Sequence, residues 1–219
     1  DVKAALAGTF AATYTGNVTL DDANGTGIAA TDISTIEGDT TGTVTISNNI
    51  NITGTSAAIA TAVGVVDTFS GTPTATLGDA HTQAELITIN NALSGQLTLT
   101  DYSVALSGSS ADVAAALDGT FASTYTGTAA TNNAHTLAQL KTINNGTTGT
   151  ITLNDVTVAL SGSIADVKAA LAGTFAVGYS GNVTLGDADN ASVTATDIST
   201  IAGDTTGTVT VTNNINITG

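Results

Sequence analysis

The chain has 219 residues, and its 18 acidic side chains against 3 basic ones give a formal charge of −15, which repels phosphate backbones and anionic lipid headgroups and argues against nucleic acid as a partner. Cysteine is absent, so neither disulfide staples nor thiolate chemistry is available, and no run of about eighteen apolar residues exists to span a membrane. Hydrophobic residues reach 42% while aromatics make up only 4%, so Val, Ile, Leu and Ala must fill the interior, as suits thin and closely stacked layers.

Helical patterns recur along the whole chain. In order they are DVKAALAGTF at 1, TDISTIEG at 31, AAIATAVG at 57, TQAELITINN at 82, ADVAAALDGTF at 111, TLAQLKTINN at 136, ADVKAALAGTF at 165 and TDISTIAG at 196. They alternate between two types. The first places apolar residues four apart, as Val2 and Leu6, Ile59 and Val63, Val113 and Leu117, Val167 and Leu171. The second places them three apart, as Ile33 and Ile36, Leu86 and Ile89, Leu140 and Ile143, Ile198 and Ile201. A capping-box pattern opens five of them, in Thr82/Glu85, Ser109/Asp112, Thr136/Gln139, Ser163/Asp166 and Thr194/Asp197. Ala29 before Asp32 and Thr55 before Ala58 depart from it and predict less cleanly started helices. Gly8, Gly64, Gly119 and Gly173 are the expected C-terminal stops of the first type, with Phe10, Phe121 and Phe175 folding back onto the helix face.

After most helices comes a strand in strict alternation, with inward pairs Val18/Leu20, Val44/Ile46, Leu97/Leu99, Ile151/Leu153, Val183/Leu185 and Val209/Val211 and outward Thr between them. A second short strand follows the second helix type, at 50, 104, 158 and 215. Asn48-Asn49, Asn154-Asp155 and Asn213-Asn214 separate the two strands as corners that tolerate a left-handed backbone. Tyr14, Phe69, Tyr125 and Tyr179 return at one repeat position and read as a stacked core site.

Residues 1–54 align with 166–219 without a gap, with 41 identities. Such periodicity predicts an α/β solenoid, stacked coils of a short helix plus a parallel β-strand, with a parallel β-helix carrying short helical insertions as the alternative. Residues 1–219 form a single repeat array of about four units of roughly 54 residues, read as a segment of a longer chain. Strands about 4.8 Å apart and helices 8 to 10 Å apart cannot share one spacing, so either the array curves or the two helix types lie on different sides; the second is preferred.

Chemistry is sparse. Asp21, Asp22 and Asn24, and Asp187, Asp189 and Asn190, occupy matching loops whose oxygens suit calcium, although neither loop completes a calcium-loop spacing; a solvated acidic turn is the other reading. His81 and His135 hold one repeat position, too far apart to share a metal, and read as surface histidines. No nucleophile elbow or phosphate loop is present, so no enzyme activity is expected. The outward rows Thr43/Thr45, Thr98/Thr100, Thr150/Thr152 and Thr208/Thr210 suit either ordinary β-propensity or an ice- or glycan-binding face.

The GTVTL-like strands, the ADVKAALAG helices and the near-identical tandem copies resemble the Thr/Ala/Gly-rich repeats of very large bacterial cell-surface or adhesin-like proteins, including those of cyanobacteria. That resemblance implies an extracellular or cell-surface structural role, as filament, sheath, surface layer or adhesin stalk. It carries over no functional residues. The expected partners are copies of the chain itself, end to end or side by side.

Overall fold

The chain divides into two compact units, Asp1–Tyr102 with Gly119–Ser123, and Ser103–Asp118 with Thr124–Gly219. A computed structural model describes residues 2–219; Asp1, which opens the first helical pattern, lies outside the described residues. The first unit runs α1 (Val2–Leu6), β1 (Val18–Leu20), β2 (Gly27–Ala29), α2 (Ala30–Asp39), β3 (Val44–Ile46), β4 (Asn51–Gly54), α3 (Ser56–Val65), β5 (Thr68–Phe69), β6 (Thr74–Leu77), α4 (Gln83–Ala92) and β7 (Leu97–Thr98). The second runs β8 (Leu106–Gly108), α5 (Ser110–Leu117), β9 (Ala129–Thr131), α6 (Leu137–Gly146), β10 (Ile151–Thr152), β11 (Leu160–Gly162), α7 (Ile164–Leu171), β12 (Val183–Leu185), β13 (Ser192–Thr194), α8 (Ala195–Asp204), β14 (Val209–Val211) and β15 (Asn216–Thr218). All eight expected helices form. β2 and β13 are additional, built by loops that the NGTGIAA and NASVTA stretches make longer than their counterparts.

Every sheet is parallel. The first unit holds β1-β3-β5 and β2-β4-β6-β7, and the second holds β8-β9-β10, β11-β12-β14 and β13-β15. The class is therefore α/β. Partners are always one coil away in sequence, as Val18 opposite Val44, Thr45 opposite Thr68 and Leu160 opposite Val183.

Alternation decides which side chains enter the core. Ile33, Val44, Ile46, Ile50, Ile52, Ile59, Leu86, Ile89 and Leu97 are fully buried in the first unit. In the second, Leu140, Leu160, Val167, Leu171, Tyr179, Val183, Leu185 and Ile201 form one cluster, with Phe175 packed against it. Each large aliphatic side chain buried this way stabilises by about 1.5 to 3 kcal/mol. Three expected inward positions depart: Leu153 and Val209 are half-buried, and Val211, on an edge strand, is exposed. Phe10 is exposed rather than folded onto α1.

The expectation that the two helix types take different sides is overturned. Within the first unit α1, α2, α3 and α4 pack in sequence order, as do α5, α6, α7 and α8 within the second, so the types alternate in one layer. Small residues permit the close approach. A Cβ on Gly146 at the end of α6 would lie 2.5 Å from the Cβ of Leu117 in α5, and α3, α5 and α7 are rich in alanine.

The glycine stops are also corrected. Gly64 lies inside α3, and Gly8, Gly119 and Gly173 do not take a positive φ, which among the described residues belongs to Gly25 (φ 78°), Gly54 (φ 154°) and Asn190 (φ 64°). A Cβ on Gly119 or Gly173 would overlap the side-chain oxygen of Asn90 or Asn144, which would have to turn aside. The Asn corners are not left-handed either. They act through their side chains: Asn48 Nδ2 donates to the carbonyls of Asp21 and Asp22, and Asn49 Oδ1 accepts from Thr72 N–H at 2.6 Å.

Candidate functional site

Side-chain length governs the helix starts. Thr82/Glu85 and Thr136/Gln139 form complete capping boxes. At Ser109/Asp112, Ser163/Asp166 and Thr194/Asp197 the acidic side chain is one methylene shorter. It accepts the capping hydroxyl proton at 2.7, 2.8 and 2.7 Å instead of reaching the backbone. Thr55 caps Ala58 after all, at 3.2 Å, whereas Ala29 leaves α2 without a side-chain cap. All three lysines reach the first turn of the next helix: Lys3 pairs with Asp32, Lys141 with Asp166 and Lys168 with Asp197. The Lys141 and Lys168 ammonium groups, with the capping hydroxyls, hold the Asp166 and Asp197 carboxyls below the usual carboxylate range. These pairs are two-fifths or more exposed at the lysine, so water and salt screen them and they add little to stability.

The acidic loops hold the corners. Asn24 Oδ1 accepts the N–H of Asn49 at 2.9 Å, and Asp189 Oδ1 that of Asn214 at 2.9 Å. Asp187 Oδ2 accepts the N–H of Ile164, the first residue of α7, at 2.9 Å. Asn190 supplies the left-handed turn residue that Gly25 supplies in the other loop. Asp21 and Asp22 are exposed. Three of the six candidate calcium ligands thus already accept a backbone proton, while a calcium ion takes about six to eight oxygens. Among the described residues no group of three or more His, Cys, Asp or Glu side chains is placed to hold a metal.

The role of Asp187 belongs to a series. Asp79 accepts from Ser56 N–H at 2.6 Å and Asn133 from Ser110 N–H at 2.7 Å, each 23 residues downstream of the amide it caps. The Gly-Asp-Ala recurrence at 78 and 186 is its trace in the sequence.

The histidines are buried rather than on the surface: His81 is 3% exposed and His135 4%. They sit in the short versions of the loop that elsewhere forms β2 and β13. His135 Nε2 lies 3.0 Å from the Tyr179 hydroxyl, and that hydroxyl donates to the Val158 carbonyl at 2.5 Å. Since the single hydroxyl proton is committed to Val158, Nε2 carries the proton shared with Tyr179 and Nδ1 is left as a bare, buried lone pair. Burial lowers the pKa of both histidines. Asp155 near His135, and Asp101, Glu85 and Asp79 near His81, oppose that shift without cancelling it. Burial also raises the Tyr179 pKa. Such a group is a neutral structural link, not a proton shuttle open to solvent.

The GDTTG turns at 38 and 203 and the NGTTG turn at 145 contain a second buried link. Thr40, Thr147 and Thr205 are buried, and their hydroxyls donate to the carbonyls of Gly16, Gly127 and Gly181 at 2.8, 2.7 and 2.8 Å while accepting from Gly42, Gly149 and Gly207. Outward Thr form in-register rows within a unit, as Thr53, Thr76 and Thr98, and Thr19, Thr45 and Thr68. Thr76 Oγ1 is already bonded to Asn51.

An open groove of about 550 Å³ separates α7 from the start of α8, lined by Ile164, Ala169 and Val193 with the Lys168–Asp197 pair at its rim. Its counterpart between α1 and α2 measures about 160 Å³. In the larger groove the Thr194 hydroxyl donates to Asp197 at 2.7 Å, the helix cap of α8 described above. No helix among the described residues is long and apolar enough to cross a membrane. No protein-family model, no curated protein and no solved structure matches the chain.

Proposed function

We propose that this chain is a structural repeat protein, an α/β solenoid whose coils stack to build an extracellular or cell-surface assembly such as a filament, sheath, surface layer or adhesin stalk. The observation that carries the reading is the uniform strand register. Each strand pairs in parallel with one a single coil away, from 22 residues (Ala129 to Ile151) to 26 residues (Val18 to Val44) further on. Neighbouring copies of one short unit that hide each other's apolar faces are the working principle of repeat proteins. Most of the polar chemistry is spent on fastening coil to coil: the Asp79, Asn133 and Asp187 caps, the Thr40, Thr147 and Thr205 links, and the three lysine pairs. A catalytic role is not proposed.

Electron microscopy of the purified chain tests this reading. Long filaments of uniform width are expected, and dispersed single particles at every concentration would remove it.

The row Thr53, Thr76 and Thr98 supports a second reading, a surface module that orders water or binds glycan. Thermal hysteresis in ice-growth assays, or retention on a glycan array, would favour it over the first.

A further inference from the structure

In each loop that leads into a second-type helix, the residue before the N-cap is buried or half-buried, at the position where a hydrophobic staple sets an apolar side chain. Ile28 and Val193 hold it before α2 and α8, but His81 and His135 hold it before α4 and α6. A second position changes with it. The aromatic site of the following first-type coil is Phe69 after Ile28, Tyr125 after His81 and Tyr179 after His135, which lie 41, 44 and 44 residues further on. The chain thus carries one residue pair in two versions, an apolar one whose side chains have no polar atom and a polar one. The backbone matches the exchange. Tyr179 donates its hydroxyl proton to the Val158 carbonyl at 2.5 Å, whereas the counterpart carbonyl in the Phe69 copy, that of Ile50, accepts the Thr74 N–H at 2.9 Å instead.

We infer that His135 and Tyr179 form an acid-opened latch between neighbouring coils of the second unit, and that Ile28 and Phe69 are its acid-insensitive version. In the closed latch the imidazole is 4% exposed, lies edge-on to the Tyr179 ring with centroids 5.8 Å apart, and donates from Nε2 to the tyrosine oxygen at 3.0 Å. Nδ1 has no partner. A proton taken up from acid solution goes to that atom and turns a bare lone pair into a charged donor with no acceptor in a buried site. The ring then moves out to water with its turn, residues 132–136, and the Tyr179 oxygen loses its donor.

Little in the surroundings holds the charged ring in place. The titratable groups facing it are the Tyr179 hydroxyl, which burial keeps neutral, and the half-exposed Asp155 carboxylate, which already accepts the Thr157 amide and hydroxyl protons at 2.8 and 2.6 Å. Water screens the pull of that carboxylate on the ring. On α6 itself the one charged side chain, Lys141, is held by Asp166. His81 differs, because Asp101, Glu85 and Asp79 all favour its charged form, so its ring tolerates a proton better than that of His135.

Hydrogen exchange read by mass spectrometry on the whole chain at pH 7.5 and pH 5, corrected for the intrinsic pH dependence of exchange, tests the latch. Protection of residues 132–136 should fall about tenfold or more at the lower pH, since a ring with an ordinary pKa near 6.5 takes its proton only in the open state. Residues 25–29, the counterpart turn before α2, should change by less than about twofold over the same interval. His135→Ile, which installs the side chain of the apolar version, should abolish the acid response of residues 132–136. Equal protection at the two pH values, an equal acid loss in the two turns, or an acid response that survives His135→Ile overturns the inference. The two turns are compared within the unmodified chain, so the result stands even where the variant folds poorly.

Discussion

Asp187 Oδ2 and the backbone N–H of Ile164 are 2.9 Å apart, so a loop carboxylate caps the first residue of a helix one coil upstream. Replacing Asp187 with Ala removes one charge-assisted bond at a helix start, a loss of about 1 kcal/mol, or roughly 2 to 4 °C in Tm. Asp187→Asn should be nearly neutral, because Asn133 performs the same task for Ser110. Melting curves in chelator and in added Ca²⁺ check the assignment. The Asp187→Ala loss should be the same in both; a loss seen only with Ca²⁺ would return this loop to metal binding.

The buried histidines make stability depend on pH, and the sign follows from their lowered pKa values. The folded chain holds His81 and His135 neutral, while the unfolded chain takes up protons below about 6.5. The unfolded state therefore binds more protons at acid pH. Stability should be flat above neutrality and fall as the pH drops through 6.5. Denaturant midpoints between pH 7.5 and 5 measure this, and His81→Gln with His135→Gln should flatten the profile over that window.

Tyr179→Phe strips the hydroxyl that links His135 to Val158, leaving a buried carbonyl and a buried ring N–H without their partner, a cost of about 1 to 3 kcal/mol. Tyr14→Phe, at the counterpart exposed position, should cost within about 0.5 kcal/mol. Equal losses at the two sites would show that the link is not structural.

Glycine substitutions should split by position. A Cβ on Gly149 would overlap the Gly127 carbonyl, and neither backbone can retreat, so Gly149→Ala should destabilise by about 1 to 3 kcal/mol. Gly203 in α8 has open space around its missing Cβ, so Gly203→Ala should stabilise by about 0.5 to 1 kcal/mol. Chemical denaturation of the two variants against the parent chain decides it.

Helix positions and strand alternation were legible in the sequence because both come from local periodicity. Val113 with Leu117 and Leu97 with Leu99 are buried as their spacing requires. The acidic loops and histidines were legible as residues but not in their roles. Whether Asp187 meets solvent, a metal or the Ile164 amide depends on a loop and a helix start brought together across 23 residues of chain, which a one-dimensional pattern does not encode. The same holds for His135, whose polar character suits a surface until Tyr179 is placed 3.0 Å away.

By itself the sequence determined the repeat, the eight helices, the alternating strands and the predominantly aliphatic core, since each is fixed by residues within a few positions of one another. Only the tertiary structure decided that both helix types share one layer within each unit, that glycines serve close approach of neighbouring groups and not left-handed stops, and that Asp187 caps the amide of Ile164. Those outcomes depend on distances between residues a full coil apart, and there side-chain volume and hydrogen-bond geometry, not local preference, choose among the arrangements.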